Sequence, residues 1–306
     1  MERDFVGYGR NPPDVTWPGG AKLAISFVLN YEEGAEYSIP DGDDHSESHG
    51  SSYSLPKGIR DLRAESTFEY GSRVGVWRVM RIFERAGIKI TFFASARALE
   101  RNGEVAALIR EQAHEPAAHG WRWVDAWNMS EDDERESIRR AVQSISATCG
   151  SRPVGWNTRG SPSVNTRRLL VEEGGFLYDS DSTNDDLPFY VSVGSRAHLI
   201  VPYTRTLNDG RFAAQPGFSD GSTFLDECRR GISMLHRESA LSGKMVTIGL
   251  HSRLIGEASR ADALEALVDF VLGLDHVWIA RRDAIANHWL VAFPPVARTP
   301  RAPPLV

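Results

Sequence analysis

Two adjacent glutamates, Glu32 and Glu33, follow the first strongly apolar run of the chain, residues 22–29. This run is rich in β-forming residues and predicts a strand. Two carboxylates in one cleft repel each other, so one tends to keep a proton while the other acts as a base. Adjacent residues of an extended chain point to opposite sides, and Gly34 can supply the bend that makes the two carboxylates converge. The pair favours an acid–base site, although an isolated Glu-Glu-Gly is more often a solvated loop.

Three further polar clusters follow short apolar stretches. They are His119 with Trp121 and Trp123, then Arg159, then His251 at the end of the clearest predicted strand. A histidine titrates near neutrality, so His251 suits general acid–base work, although a lone histidine is more often structural. Tryptophan and histidine side chains can wall a small flat ligand, or they can simply pack under a loop.

The order of the predicted elements decides between these alternatives. The predicted strands cover residues 22–29, 89–94, 153–156, 176–178, 198–203, 244–250 and 277–280. The predicted helices begin near residue 72 and then cover residues 103–112, 130–150, 165–173, 223–241, 264–272 and 283–290. Alternating strands and helices predict an α/β fold, either a parallel barrel or an open sheet. In a parallel barrel the loops after the strands build the active face, so four clusters in these positions predict an active site.

Composition restricts the class of ligand. Lys and Arg number 35 against 41 Asp and Glu, which gives a formal charge of -6 and no global attraction to nucleic acid or an anionic membrane. No run approaches the roughly 18 apolar residues of a membrane span, and the N-terminus has no export-signal pattern. Cys149 and Cys228 match no zinc or redox spacing. We therefore expect a cytoplasmic protein with a small-molecule substrate.

No repeat or linker divides the chain, so residues 1–306 are expected to form one catalytic domain. A polar stretch over 35–66 lacks periodicity and directly follows the paired glutamates. A segment of this length at such a position predicts a lid. The Pro- and Arg-rich tail over 294–306 is expected to be loose.

These clusters resemble the motifs of the polysaccharide deacetylase (NodB-homology) superfamily. Residues 30–34 match its Thr-Phe-Asp-Asp-Gly motif, residues 119–123 its His-x-x-x-His motif, residues 159–162 its arginine–proline motif, and residues 250–251 its leucine–histidine motif. The strings FVLNYEEG, EYGSRVGVWR, HGWRW, NTRRLLVEEGGFLYDSD, DDLP and HSRLIG are similar to the cofactor-independent bacterial allantoinases and related cyclic imide hydrolases. The resemblance spans nearly the whole chain and implies a distorted (β/α) barrel, often assembled as a homotetramer.

The resemblance also implies residue roles. It makes Glu32 the catalytic base, Arg159 the residue that orients this base, and His251 the general acid. The zinc ligands of the superfamily fall on Glu33, His119 and Trp123. An indole N–H has no lone pair for a metal, and a catalytic zinc needs about three protein ligands. The zinc site is therefore degenerate, and we expect no cofactor and no metal.

The leading hypothesis is a hydrolase that opens a small cyclic amide: allantoin, a hydantoin or a cyclic imide. Glu32 or Glu33 activates water, Arg159 fixes the carboxylate, and His251 protonates the departing nitrogen. The residues expected to bind substrate are Tyr31, His119, Trp121, Trp123 and Arg253. Two alternatives stay open, a carbohydrate N-deacetylase and a non-catalytic ligand-binding barrel.

Overall fold

Strand β1 (Leu23–Tyr31) is an interior strand of the sheet in the computed structural model, which describes residues 3–49, 53–214 and 216–295. All nine residues of β1 are buried, as expected for a parallel strand covered on both faces. The strands are β1 (Leu23–Tyr31), β2 (Thr91–Ala94), β3 (Glu115–Ala118), β4 (Gly155–Trp156), β5 (Tyr178–Asp179), β6 (Phe189–Val193), β7 (Arg196–Ile200), β8 (Lys244–His251) and β9 (Val277–Ile279).

The strand order is β6-β7-β5-β4-β3-β2-β1-β8, and β9 pairs with the start of β1. The pairings are parallel except the β6–β7 hairpin. Strand β1 pairs with β8 in a register that sets Asn30 beside His251. This register brings the end of the first predicted strand next to the end of the last long one, as a barrel active site requires.

Helices form the outer layer of the curled sheet. They are α1 (Leu62–Tyr70), α2 (Val76–Arg85), α3 (Ala96–Arg101), α4 (Gly103–Glu111), α5 (Glu131–Cys149), α6 (Thr166–Glu173), α7 (Gly221–Glu238), α8 (Ala258–Leu272) and α9 (Arg282–Ala292). A π-helical turn, Gly71–Gly75, joins α1 to α2. The Ser130 side chain caps α5 by accepting a hydrogen bond from Asp133 N, and Gly150 ends the helix with a φ of 72°. The α/β fold and its distorted barrel are thus confirmed.

Backbone and side-chain contacts together bridge the gap between the two ends of the sheet. The Thr204 hydroxyl accepts a hydrogen bond from Thr247 N in β8. From the opposite side, the fully buried guanidinium of Arg282 donates to Ser180 Oγ at 2.8 Å, to Thr247 Oγ1 at 2.6 Å and to the Pro202 carbonyl at 2.9 Å. A buried arginine with this many acceptors is well compensated. It joins the two sides of the gap inside the barrel.

Helices α1 and α3 and strand β6 differ from the sequence expectation, which had no helix over Ala96–Arg101. Helix α1 begins at Leu62, inside the stretch 35–66 that was expected to be irregular, because Asp61 accepts hydrogen bonds from Arg63 N and Ala64 N and so starts a helix. Strand β6 was not predicted, since it is only half-buried and lies on the edge of the sheet. Most of the tail expected to be loose, residues 296–306, lies outside the described residues.

The described part of the chain contains no helix long and apolar enough to cross a membrane.

Candidate active site

Glu32 leaves the end of β1 and enters a tight turn. The Glu32 carbonyl accepts a hydrogen bond from Ala35 N at 2.9 Å, and Gly34 takes a φ of 90°. A left-handed conformation of this kind favours glycine. The bend expected at Gly34 is therefore present, and it turns the chain back over the end of the sheet.

The Glu32 carboxylate is only 1% exposed and lies among three side chains from other loops. Its Oε2 is 2.7 Å from Arg253 Nη1, while its Oε1 is 3.5 Å from His251 Nε2 and 3.3 Å from His119 Nε2. Burial alone raises the pKa of such a carboxyl, but the charges of Arg253 and His251 outweigh burial and hold the pKa of Glu32 well below its usual range. Glu32 is thus a buried, ionised carboxylate.

Glu33 has a different environment although it is the next residue. Its Oε2 accepts a hydrogen bond from Glu32 N at 2.9 Å, and its Oε1 accepts one from Arg253 N at 3.2 Å. Both oxygens are therefore occupied by backbone amides that tie the turn after β1 to the loop after β8. This geometry suits a structural role, and of the two glutamates it leaves Glu32 as the better base.

His251 is held by a carboxylate. Its Nδ1 is 2.6 Å from Asp209 Oδ1, and the other Asp209 oxygen accepts hydrogen bonds from His251 N and Ile255 N. Burial lowers the pKa of this histidine, but the negative charges of Glu32 and Asp209 outweigh it and raise the pKa to about 9. His251 is therefore an imidazolium at neutral pH, with Nε2–H directed to Glu32.

His119 has the opposite hydrogen-bonding pattern. The Asn157 carbonyl, which can only accept, lies 2.6 Å from His119 Nδ1, so this nitrogen carries a hydrogen. The Trp123 indole N–H donates to His119 Nε2 at 3.1 Å. Because an indole N–H can only donate, His119 Nε2 must present its lone pair to Trp123. His119 is therefore neutral here.

The zinc ligand set implied by the superfamily motifs does not fit this site. Trp123 stands at the position of one ligand, and its N–H also occupies the lone pair of His119, which is the second. Glu33, the third, is turned toward backbone amides. Within residues 3–49, 53–214 and 216–295, no three or more His, Cys, Asp or Glu side chains are grouped so that they could hold a metal ion.

Arg253 is packed tightly against the π-helical turn. Its guanidinium lies 4.4 Å from the Phe68 ring centre and 5.1 Å from that of Trp123. A Cβ at Gly71 would lie 2.5 Å from Glu33 Oε1 and 2.9 Å from Arg253 Cβ. Only glycine leaves room for the helix to approach both residues, and π-turns frequently occur at functional sites.

Three residues expected in the site lie elsewhere. Arg159 donates to Glu47 Oε2 at 2.6 Å and to the Trp123 carbonyl at 2.7 Å, so the carboxylate of Glu32 is held by Arg253 instead. The indole of Trp121 is turned to the outer surface, where it stacks with Arg140 at 3.2 Å. The hydroxyl of Tyr31 faces the helix layer and is 2.9 Å from Ser72 Oγ. The structure therefore does not bring Arg159, Trp121 or Tyr31 to the Glu32 carboxylate, and their predicted roles stay predictions that this arrangement does not support.

Asp209 is the residue of the site that the sequence did not reveal. It lies in Asn208-Asp209-Gly210, where the Asn208 side chain accepts a hydrogen bond from Gly210 N as in many turns. Nothing local distinguishes such an aspartate from a turn residue. A search for a carboxylate partner of His251 among the loops after strands could have proposed it, because a histidine acid needs an orienting group.

The segment 35–49 covers the site. Its Glu47 pairs with Arg159, its Asp43 pairs with Arg122 at 2.9 Å, and its His49 ring lies edge-on to Trp123 at 5.7 Å between ring centres. Since Glu32 is only 1% exposed, a ligand can reach it only if some covering group moves. The lid stays a prediction, and these contacts identify the groups that would have to separate.

The fold and the site agree with one family. The family model for polysaccharide deacetylase matches residues 61–176. A Schizosaccharomyces pombe protein named as a polysaccharide deacetylase is 35% identical over 95% of this chain and 98% of its own length. The chain therefore belongs to the polysaccharide deacetylase family of hydrolases, as the motifs predicted.

Two solved structures are similar over almost their whole length. One, from Pseudomonas aeruginosa PAO1, carries the name polysaccharide deacetylase and is 44% identical, with a TM-score of 0.92 over 96% of this chain and 99% of that one. The other is Puue allantoinase, which is 42% identical, with a TM-score of 0.93 over 97% of this chain and 99% of that one.

Proposed function

We propose that this protein is a hydrolase that opens a small cyclic amide ring, of the class that includes allantoin, hydantoins and cyclic imides. The observation that carries the proposal is the ionised Glu32 held between a protonated His251 and Arg253 in a buried site. The 42% identity to an allantoinase over 97% of this chain supports the same choice of substrate class.

The geometry supports one sequence of steps. Glu32 takes a proton from water while the water oxygen bonds to a ring carbonyl carbon. The ring C–N bond then breaks, and His251 donates its Nε2 proton to the departing nitrogen. Glu32 is left protonated and His251 neutral, and the 3.5 Å between Oε1 and Nε2 allows the proton to return to His251. The product is an open chain with a new carboxylic acid, which releases its proton to solvent.

The proposed reaction uses no metal. The support is the ligand set itself, in which Trp123 donates to the lone pair of His119 and Glu33 accepts from two amides. A positioned acid–base group contributes about 10²–10⁴-fold to a rate, so the remaining acceleration must come from preorganised charge. Buried charged groups that surround the reacting atoms supply such charge in this site.

A turnover panel tests the proposal. The purified protein is assayed with allantoin, hydantoin, dihydrouracil, succinimide and N-acetylglucosamine oligomers, before and after prolonged chelation. We expect ring opening of at least one cyclic amide, unchanged by the chelator. Failure to open any ring would contradict the proposal, and release of acetate from the oligomers would support the second candidate below.

The second candidate is a carbohydrate N-deacetylase, favoured by the names of the relative in fission yeast and the structure from Pseudomonas aeruginosa. Glycan deacetylation by the superfamily's zinc set would require ligands that Trp123 and Glu33 do not provide here. Acetate release that is lost on chelation and regained on zinc addition would establish this second function.

A further inference from the structure

Arg253 has donors that no neighbour uses. Its side chain is 1% exposed, and its Nη2 donates no hydrogen bond to any residue that the structure describes. Its Nη1 forms ion pairs with Glu32 Oε2 at 2.7 Å and Glu33 Oε1 at 3.6 Å, which leaves Nη2 as the unused end of the guanidinium. Buried polar groups are nearly always hydrogen-bonded, and an unpaired charged donor costs stability. Donors left open beside a catalytic carboxylate therefore indicate a ligand atom that accepts from them.

The surroundings fix this guanidinium in place. The rings of Phe68 and Trp123 flank it, and Gly71 allows the π-helical turn to press against its Cβ. Its backbone N–H donates to Glu33 Oε1. A group held in this way needs little reorganisation during a reaction, which is the condition for effective electrostatic stabilisation.

We propose that Arg253 is the catalytic residue that stabilises the oxyanion formed when water adds to the ring carbonyl. This role rests on the proposed ring-opening function. Its Nη2 would donate to the carbonyl oxygen while its Nη1 stays beside Glu32, so the guanidinium bridges the base and the atom that becomes negative. In this way the fixed guanidinium of Arg253 supplies positive charge at the position where other members of the superfamily use a zinc ion.

The bridge also couples the two halves of the first step. In the free site the guanidinium charge stabilises ionised Glu32 and makes it a weak base. As negative charge develops on the carbonyl oxygen, the same cation interacts with that oxygen, and its effect on Glu32 is partly offset by the new negative charge. Glu32 therefore gains proton affinity as it takes the proton from water. During the step the Glu32 carboxylate loses its negative charge while the carbonyl oxygen gains one, and the Arg253 guanidinium contacts both groups.

The other cations near the site are already engaged. Arg159 donates to Glu47 and to the Trp123 carbonyl, and its Nε is 3.3 Å from Asp125 Oδ1. His251 directs its Nε2–H to Glu32 and is needed as the proton donor. Of these three cations, Arg253 is the one with open donors.

The test compares Arg253→Ala and Arg253→Lys with the matched exposed variant Arg230→Lys, using the best ring substrate of the wild-type protein. We expect kcat to fall by about 10²–10³-fold in Arg253→Ala, with a much smaller change in KM, since an oxyanion donor acts mainly in the transition state. Added guanidinium should restore part of the lost turnover in this variant, whereas ammonium should not. Arg253→Lys keeps the charge but has a single point donor, so its kcat should be intermediate. Arg230→Lys should match the wild type.

The outcomes separate this role from the proposed function. A wild-type protein that opens no ring overturns both. A wild-type protein that opens a ring, with a kcat in Arg253→Ala reduced by less than about tenfold, overturns the role of Arg253 alone. If Arg253→Ala does not fold, Arg253→Lys decides, and an unchanged kcat with a raised KM would reduce Arg253 to substrate binding.

Discussion

His119 and His251 approach the same carboxylate oxygen of Glu32 from two sides, at 3.3 and 3.5 Å, yet they differ in charge. The difference lies in their second partners. Asp209 accepts from His251 Nδ1 and helps raise its pKa, whereas a neutral carbonyl accepts from His119 Nδ1 and an indole N–H fills its other nitrogen. Two buried histidines of one site are thus a protonated donor and a neutral acceptor, and in the proposed reaction only the first acts as an acid.

This contrast shows that the chemistry of a histidine depends on the atom behind it as much as on the ligand in front. A carboxylate behind the ring stores a proton for transfer. A carbonyl behind the ring, with a donor in front, removes the ring from both acid–base and metal chemistry. In the proposed reaction the end of β8 supplies the proton donor beside Glu32. The loop after β3 supplies a neutral histidine that takes no part in proton transfer.

Removal of the carboxylate that both histidines contact should have the largest effect. Glu32→Gln is expected to lower kcat by about 10³-fold, because the base is lost while the shape is kept. Steady-state kinetics with a ring substrate measures this, and the exposed variant Glu136→Gln serves as the control. If Glu33→Gln folds normally and shows the larger loss of kcat, the base is Glu33.

The second prediction removes the carboxylate behind His251. The general acid must be protonated, so activity should hold below pH 9 and fall as pH rises through about 9, the raised pKa of His251. Asp209→Asn should move this alkaline limb to lower pH and reduce kcat at pH 8 by about tenfold. A pH–rate profile measures both effects. An alkaline limb that stays in place would show that another group supplies the proton.

The third prediction changes Trp123, the residue that donates a hydrogen bond to His119. Purified wild-type protein should contain well under one equivalent of zinc, and Trp123→His should raise the zinc content, because it frees the lone pair of His119 and adds a second imidazole. The kcat for ring opening should fall by up to about 10²-fold, because the Trp123 ring no longer helps to position the substrate. Elemental analysis and kinetics measure the two effects, and Trp127→His, at an exposed tryptophan, is the control. Stoichiometric zinc in the wild type would show that His119 can bind a metal and would contradict its assignment as a neutral acceptor.

The smallest effect is expected at Arg159, which contacts the covering segment rather than Glu32. Arg159→Gln should raise KM roughly fivefold and leave kcat little changed. This change in KM corresponds to about 1 kcal/mol less free energy for closing segment 35–49 over the site. The substitution should also speed proteolysis within residues 35–49, and a bound substrate analogue should slow that cleavage in the wild type. The surface variant Arg139→Gln provides the comparison. If kcat instead falls by about 10²-fold or more, as for a catalytic group, the base-orienting role is restored.

The sequence was sufficient for the features that depend on period and position along the chain. The buried run of β1, the helix over residues 130–150 and the clusters after β1, β3 and β8 were all predicted, since local patterns encode them. Two pairs of residues distant in sequence were not predicted. Asp209 reaches His251 across 42 residues, and the bridge between Asn208 and Gly249 makes them neighbours. Arg253 reaches Glu32 across more than 200 residues, and the register of β1 with β8 brings these two together.

The motif match gave Arg159 a partner, Glu32, that the structure does not place beside it. Arg159 lies at the expected place in the sequence, but Glu47 and Asp125 compete for its guanidinium, and Arg253 takes the carboxylate instead. A motif fixes the order of residues along a chain, whereas the partner of a long arginine side chain depends on every carboxylate within its reach. The homotetramer, the cytoplasmic location and the lack of a metal stay predictions.

Closure of the barrel by Arg282 has a consequence for the synthesis of the protein. Arg282 follows every strand in the sequence, so all of the sheet leaves the ribosome before the residue that joins its two ends. Until α9 is made, the hydroxyl and carbonyl groups that bind Arg282 must be satisfied by water, and the nascent barrel lacks these buried contacts across the gap. A chain that stops at residue 281 should therefore resemble an unfinished fold, recognised by chaperones and proteases, rather than a slightly shortened enzyme.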